Sequence, residues 1–195
     1  MIDKGMSFKT CKDLIKQDAL RNGSIALGLF RPRHALLIWY RLCGFFWSRN
    51  MKVLHLITKV FFKVNQYITG IHIDEHCSIG GGLHFEHHSN IAISVGAELG
   101  QNVTIFQGCT IGKNFGGKHC GYPVIGDNVI LFAGSKVLGK VHVGNNSIVG
   151  ANAVVTHDVP HGCVVAGVPA RIVSEDFRTA ILKNEYEKHF HLTGY

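Results

Sequence analysis

From Ile73 onward, a large apolar residue returns at every sixth position. It falls at Ile73, Ile79, Phe85 and Ile91. After a slip of two it resumes at Leu99, Ile105 and Ile111. After a longer insertion it continues at Ile125, Leu131, Val137, Val143, Val149 and Val155. A helix repeats about every 3.6 residues and a strand every 2, so neither alone explains the spacing. A six-residue unit fits one short strand plus one turn, and three units make a triangular coil filled by the stacked apolar residues. Glycine often follows the apolar position, as at Ile79-Gly80, Leu99-Gly100 and Ile125-Gly126, which suits tight corners. A small or apolar residue commonly sits four positions on, among them Cys77, Val103, Cys109, Val129 and Ala153.

Residues 7 to about 69 read differently. Ala35 to Tyr40 and Phe45 to Trp47 form an apolar run interrupted by Arg41. Val53, Leu54, Ile57, Val60, Phe61, Val64 and Ile68 then recur at helical spacing. Neither stretch reaches the roughly 20 residues of a membrane span. The stripes are expected to be core between packed helices or an oligomer interface, with a membrane-surface contact as the lesser reading. The division is an N-terminal helical part over 1–69, the coil over 70–173 with a loop at 113–122, and a tail over 174–195, partly helical from Asp176 to Phe190.

The chain carries a formal charge of +7, which suits an anionic partner. No basic stripe interleaved with aromatics and no helix-turn-helix pattern is present, so nucleic acid is not the expected partner. The six cysteines lie far apart, and Met1 to Lys12 is polar and charged. Both features lead to the expectation of a cytoplasmic protein with reduced thiols.

The repeat and its ending, Val155-Thr156-His157-Asp158-Val159-Pro160 followed by Gly167-Val168-Pro169-Ala170-Arg171, resemble the hexapeptide-repeat acyltransferases. Within them the chain is similar to the serine acetyltransferase branch over residues 10 to 173. The resemblance implies a left-handed parallel β-helix, acetyl-CoA as co-substrate, and a homotrimer with active sites between subunits, with the helices as the surface that could join trimers in pairs. It also implies a tail that docks in cysteine synthase by a terminal isoleucine. This chain ends in Thr193-Gly194-Tyr195, so that complex is not expected.

Moving acetyl from a thioester to a hydroxyl needs a base, donors for the oxyanion and two substrates held in contact. In Phe85-Glu86-His87 the resemblance assigns His87 as the base. It places an orienting carboxylate at position 72, where this chain has His72. Glu86 or Asp74 is the alternative for that role. The loop ends in Gly121-Tyr122-Pro123 where the family has Arg-His-Pro, leaving Lys118 or His119 to replace the arginine, with His88 and Asp74 as further expected substrate contacts. These departures lead to the expectation of a sugar or polysaccharide acceptor (capsule, exopolysaccharide or O-antigen), with Tyr122 bonding to or stacking on its ring. Serine is the alternative. Tyr122 could also simply pack the base of the loop. For acetyl-CoA the resemblance implies Ala133 and Ala151 as backbone contacts, Lys136 as a further contact, and Thr156, His157 and Arg171 towards the nucleotide. No metal is expected. A zinc-dependent carbonic-anhydrase-like protein using His84, His87, His88 and His119 is a remoter reading, as is a non-catalytic scaffold. Cys77 and Cys109 sit at inward positions and are expected to fill the core.

Overall fold

The six-residue period closes into a coil because each unit supplies a two- or three-residue strand and a corner. The computed structural model describes residues 6–23, 31–117 and 119–176. The tail helix expected as far as Phe190, and Lys118, therefore lie outside the described residues. Three parallel sheets form the faces of the coil. The first stacks Ile71–Ile73, Ile91–Ile93, Thr110–Gly112, Lys136–Leu138 and Val154–Val155. The second stacks Ser78–Ile79, Glu98–Leu99, Val124–Ile125 and His142–Val143. The third runs from His84–Phe85 through Thr104–Ile105, Ile130–Leu131 and Ile148–Val149 to Val164–Ala166, with Arg171–Ser174 added antiparallel. In register, Ile73 stacks with Ile93, Ile111, Val137 and Val155, and Phe85 with Ile105, Leu131 and Val149. All are buried. Each contributes about 1.5–3 kcal/mol by leaving water. Cys77 and Cys109 are buried in the same interior, and burial pushes the Cys77 thiol up to about 12.

Two details refine the repeat. Ile73 pairs with Ile93, so the slip of two is a widened corner at 86–90, the corner that carries His87. The recurrent glycines serve close approach: a Cβ on Gly80 would lie 2.6 Å from the Gly100 backbone. The left-handed corner conformation falls to other positions, among them Asn102, Asn128 and Asn146, each with φ of 56°, and Gly108 and Gly134, with φ of 73° and 74°. The asparagine side-chain amides bond in a ladder, Asn102 Nδ2 to Asn128 Oδ1 at 3.2 Å and Asn128 Nδ2 to Asn146 Oδ1 at 3.0 Å.

A parallel coil leaves one open edge. Backbone N–H groups of the first coil donate to the second coil, as Gly80 N does to Leu99 O and His84 N to Val103 O. Its carbonyls face the other way and need donors. Three helices supply them: α1 (Phe8–Arg21), α2 (Pro32–Ser48) and α3 (Lys52–Thr69). Gln66 donates to Ile73 O at 2.7 Å and Tyr40 Oη to Cys77 O at 2.7 Å. Arg41 donates to Ile79 O at 2.5 Å and Gly80 O at 2.6 Å. Asn22 donates to Leu83 O at 2.8 Å, and Arg33 to Phe85 O and Glu86 O at 3.0 Å. Asp18, buried and paired with Arg41 at 2.8 Å, accepts from the N–H groups of Gly82 and Leu83. The helical part is a hydrogen-bonding lid on the end of the coil.

That role inverts α3. Its apolar stripe is not core between helices: Val53, Ile57, Val60, Phe61, Val64 and Ile68 are all exposed, while Thr58, Phe62, Gln66 and Thr69 are buried. The face turned to the coil has to carry donors such as Gln66, so polar residues go inward and the stripe stays outside. Among the described residues no helix is long and apolar enough to cross a membrane.

Candidate active site

The predicted site residues lie on two columns of corners, one at each edge of the first face. His87 stands on the column between the third and first faces. His87, Gln107, Ala133 and Ala151 each follow a stacked inner residue by two positions, namely Phe85, Ile105, Leu131 and Val149. The three predicted members of this set therefore share one register position. Phe106 and Phe132, one position earlier, were missed by the sequence reasoning. His87 packs edge-on against Phe106 at 6.3 Å between ring centres, and Phe106 lies 4.9 Å from Phe132. Stacking the hexads in register would have found both rings. Gln107 Oε1 is buried and without a hydrogen bond among the described residues. Lys136, on the neighbouring strand, donates to Gly108 O.

His87 and His88 are exposed, and His87 makes no hydrogen bond among the described residues. Glu86, Asp74 and His72 are the groups expected to orient it. Glu86 Oε2 lies 2.9 Å from Nε2 of His84, whose Nδ1 lies 2.9 Å from Asn22 Oδ1. The Asn22 amide nitrogen is taken by Asp18 O and Leu83 O, which fixes its oxygen towards His84. Burial holds the His84 pKa below the usual histidine value, opposed by the bond to Glu86. Asp74 Oδ1 accepts from His76 N in the corner at the opposite edge of the first face. His72 is exposed mid-strand, in register with Ala92.

The second column carries the loop. Asn114 and Gly121 exchange two backbone hydrogen bonds of 3.1 Å that close its neck. The Tyr122 ring lies flat on Gly96, where a Cβ would come within 2.4 Å of it. The Lys113 ammonium sits 5.3 Å above Tyr122 and 5.0 Å above Phe115. His119 reaches to within 5.3 Å of His157, whose Nδ1 is 3.0 Å from Thr156 Oγ1. Arg171 is exposed on the antiparallel strand and donates to Ala170 O.

A second buried histidine, coupled electrostatically to His84, is also acid-sensitive. His34 is 4% exposed and neither ring nitrogen has a partner among the described residues. Burial first, then Arg33 and Arg31, push its pKa down to about 4. The unfolded chain holds a histidine near about 6.5, so it binds protons that the folded state refuses. Stability should thus be unaffected above about pH 6.5 and fall by about 3 kcal/mol as the pH drops towards 4. Urea unfolding across that range checks this; His34→Leu should flatten the slope, leaving only what His84 adds in the same direction.

A parallel coil built from hexads is the architecture of the hexapeptide-repeat transferases. The family model described as "Bacterial transferase hexapeptide (six repeats)" matches residues 122–157. The chain is 34% identical over 173 residues to serine acetyltransferase of Helicobacter pylori, covering 88% of this chain and 98% of that protein. It is 32% identical to that of Synechococcus elongatus over 81% of this chain, spanning 63% of the relative's length. The match to the Mycobacterium tuberculosis protein is 48% identical but spans only 25% of that relative. Among solved structures, a serine acetyltransferase in complex with CoA superposes with a TM-score of 0.70 at 29% identity, over 85% of this chain and 71% of that one. One in complex with cysteine gives 0.70 at 31% identity, over 86% and 71%. The chain belongs to the serine acetyltransferase family, and its coil is the left-handed parallel β-helix.

The family corrects the expected acceptor. Sugar or polysaccharide rested on His72, Gly121 and Tyr122, three local departures. They are outweighed by similarity running through nearly the whole of the Helicobacter pylori protein. Tyr122 itself packs the loop base, laid on Gly96 beneath Lys113, rather than standing free to meet a sugar ring.

Proposed function

We propose that the chain is a serine O-acetyltransferase that moves the acetyl group of acetyl-CoA directly to the serine hydroxyl. The observation carrying this reading is the 34% identity to a serine acetyltransferase 98% of whose length is matched. In the proposed step His87 takes the hydroxyl proton as the oxygen attacks the thioester carbonyl carbon. Backbone amides in the groove hold the oxyanion. The intermediate then expels the CoA thiolate, which recovers the proton from the His87 imidazolium. No covalent enzyme intermediate is required. Ala133 and Ala151 share the His87 column and contact the coenzyme through their backbone, with Lys136 beside them. Thr156, His157 and Arg171 lie towards its phosphates. The serine carboxylate needs a cation, for which the loop offers His119 and the Lys113 ammonium.

The two columns stand at opposite edges of one face, and in a homotrimer one subunit's His87 column would meet a neighbour's loop column. The exposed stripe of α3 is the surface by which trimers would pair. A thiol-release assay with acetyl-CoA tests the acceptor. Serine should be turned over at least about tenfold faster than free sugars or oligosaccharides at equal concentration, and sugar turnover without serine turnover would reject the proposal.

A further inference from the structure

Cys43, His55 and Glu75 turn their ligand atoms towards one another across the seam between the helices and the first coil. Cys43 comes from α2, His55 from α3 and Glu75 from the corner that follows Ile71–Ile73. Cys43 Sγ lies 3.5 Å from His55 Nδ1 and 3.8 Å from Glu75 Oε2, and the three ligand atoms all lie within 4.8 Å of one another. A tetrahedral zinc ion, with Zn–S of about 2.3 Å and Zn–N or Zn–O of about 2.0–2.2 Å, sets its ligands about 3.4–3.6 Å apart. Cys43 is fully buried and Glu75 is 8% exposed. Trp47 walls the cluster, with its ring 5.1 Å from His55 and 5.2 Å from His76.

We propose that this cluster is a structural site for a thiophilic divalent ion, zinc foremost, that ties α2 and α3 to the first coil. Binding takes the Cys43 thiol to the thiolate and releases its proton to solvent; neutral His55 ligates through Nδ1, Glu75 through Oε2, and a water fills the fourth position. Thiolate and imidazole exclude magnesium and calcium. The other oxygen of Glu75 is already held: Oε1 accepts from Lys59 Nζ at 2.6 Å and lies 3.5 Å from His76 Nε2. Lys59 thus orients the carboxylate, leaving Oε2 turned to the ion. One thiolate and one carboxylate neutralise the ion, and the Lys59 charge stays at the solvent edge, its side chain 39% exposed. Without an ion, burial first and then Glu75 push the thiol up to about 11, so the metal supplies the charge that makes the thiolate accessible near neutral pH. The competing arrangement is a plain hydrogen-bonded cluster, with the thiol donating to Glu75 and His55 Nδ1 donating to Cys43 O at 3.2 Å. The site stands at a different corner from His87, so its test does not depend on the acetyltransferase reading.

The full chain, stripped with a chelator and titrated with cobalt(II) and then zinc, decides between them. Expected are one ion per chain, a thiolate-to-cobalt charge-transfer band, one proton released per ion, and a Tm rise of roughly 5–10 °C at a hundredfold excess over Kd. Cys43→Ser and His55→Ala should abolish the band, and Glu75→Gln should weaken binding about 10–100-fold. Absence of the band in the wild-type chain overturns the proposal even if the variants do not fold. So does a band that survives Cys43→Ser, which would place the ion elsewhere.

Discussion

Replacing His87 by alanine should lower kcat for acetyl transfer by about 10²–10⁴-fold, the usual contribution of a positioned base. The ring is exposed and makes one aromatic contact, with Phe106. The fold therefore loses little, and Tm should stay within a few degrees of the parent. His88→Ala, one position along the same exposed corner, should keep far more of kcat than His87→Ala, because it removes no proton acceptor from the step. Steady-state thiol release from acetyl-CoA with serine, run alongside thermal unfolding, separates lost chemistry from lost structure. Wild-type kcat in the His87→Ala variant would move the base elsewhere in the groove.

The second large effect concerns the lid rather than the chemistry. Asp18→Ala should cost about 3–5 kcal/mol, because it strands a buried guanidinium. Asp18 and Arg41 are 3% and 4% exposed, and the carboxylate also serves the N–H groups of Gly82 and Leu83. On a chain of this size the loss corresponds to a Tm drop of roughly 10 °C. Replacing both partners, Asp18→Leu with Arg41→Met, should cost less than the sum of the single losses, since no charge is left unpaired. It will not be neutral, because Ile79 O and Gly80 O lose their donor. Urea unfolding of the four proteins measures the coupling, and strict additivity would show that the pair is not the joint.

The pair also shows where sequence reasoning stops. Arg41 reads in the sequence only as an interruption in an apolar run, because its partner on α1 and its carbonyls on the first coil are 23 and 38–39 residues away. The α3 stripe misleads for a related reason. Periodicity marks an apolar face, but the coil's unpaired carbonyls decide which face turns inward, and they favour Gln66 over Phe61. Around the base, the hexad count puts the two-residue slip after Ile91, and only the pairing of Ile73 with Ile93 moves it to the corner at 86–90 that carries His87. The attachment of Glu86 to His84 depends on Asn22, 64 residues earlier, and no local pattern carries it. Tyr122 is similar: its place on Gly96 comes from the closing of the loop neck.

What the sequence determined by itself is the coil. A strict period of six admits one way to bury every large apolar residue, so thirteen local positions specify a core whose contacts run between successive turns. The register of His87 with Ala133 and Ala151 follows from the same count, since stacking is arithmetic in a repeat. Only the tertiary structure decided how the open end is closed and which face of α3 is hidden. It also decided which carboxylate meets which histidine, and where Cys43, His55 and Glu75 converge. Those outcomes depend on matching unpaired backbone groups and buried charges between segments remote in the chain, and that matching has no period to read.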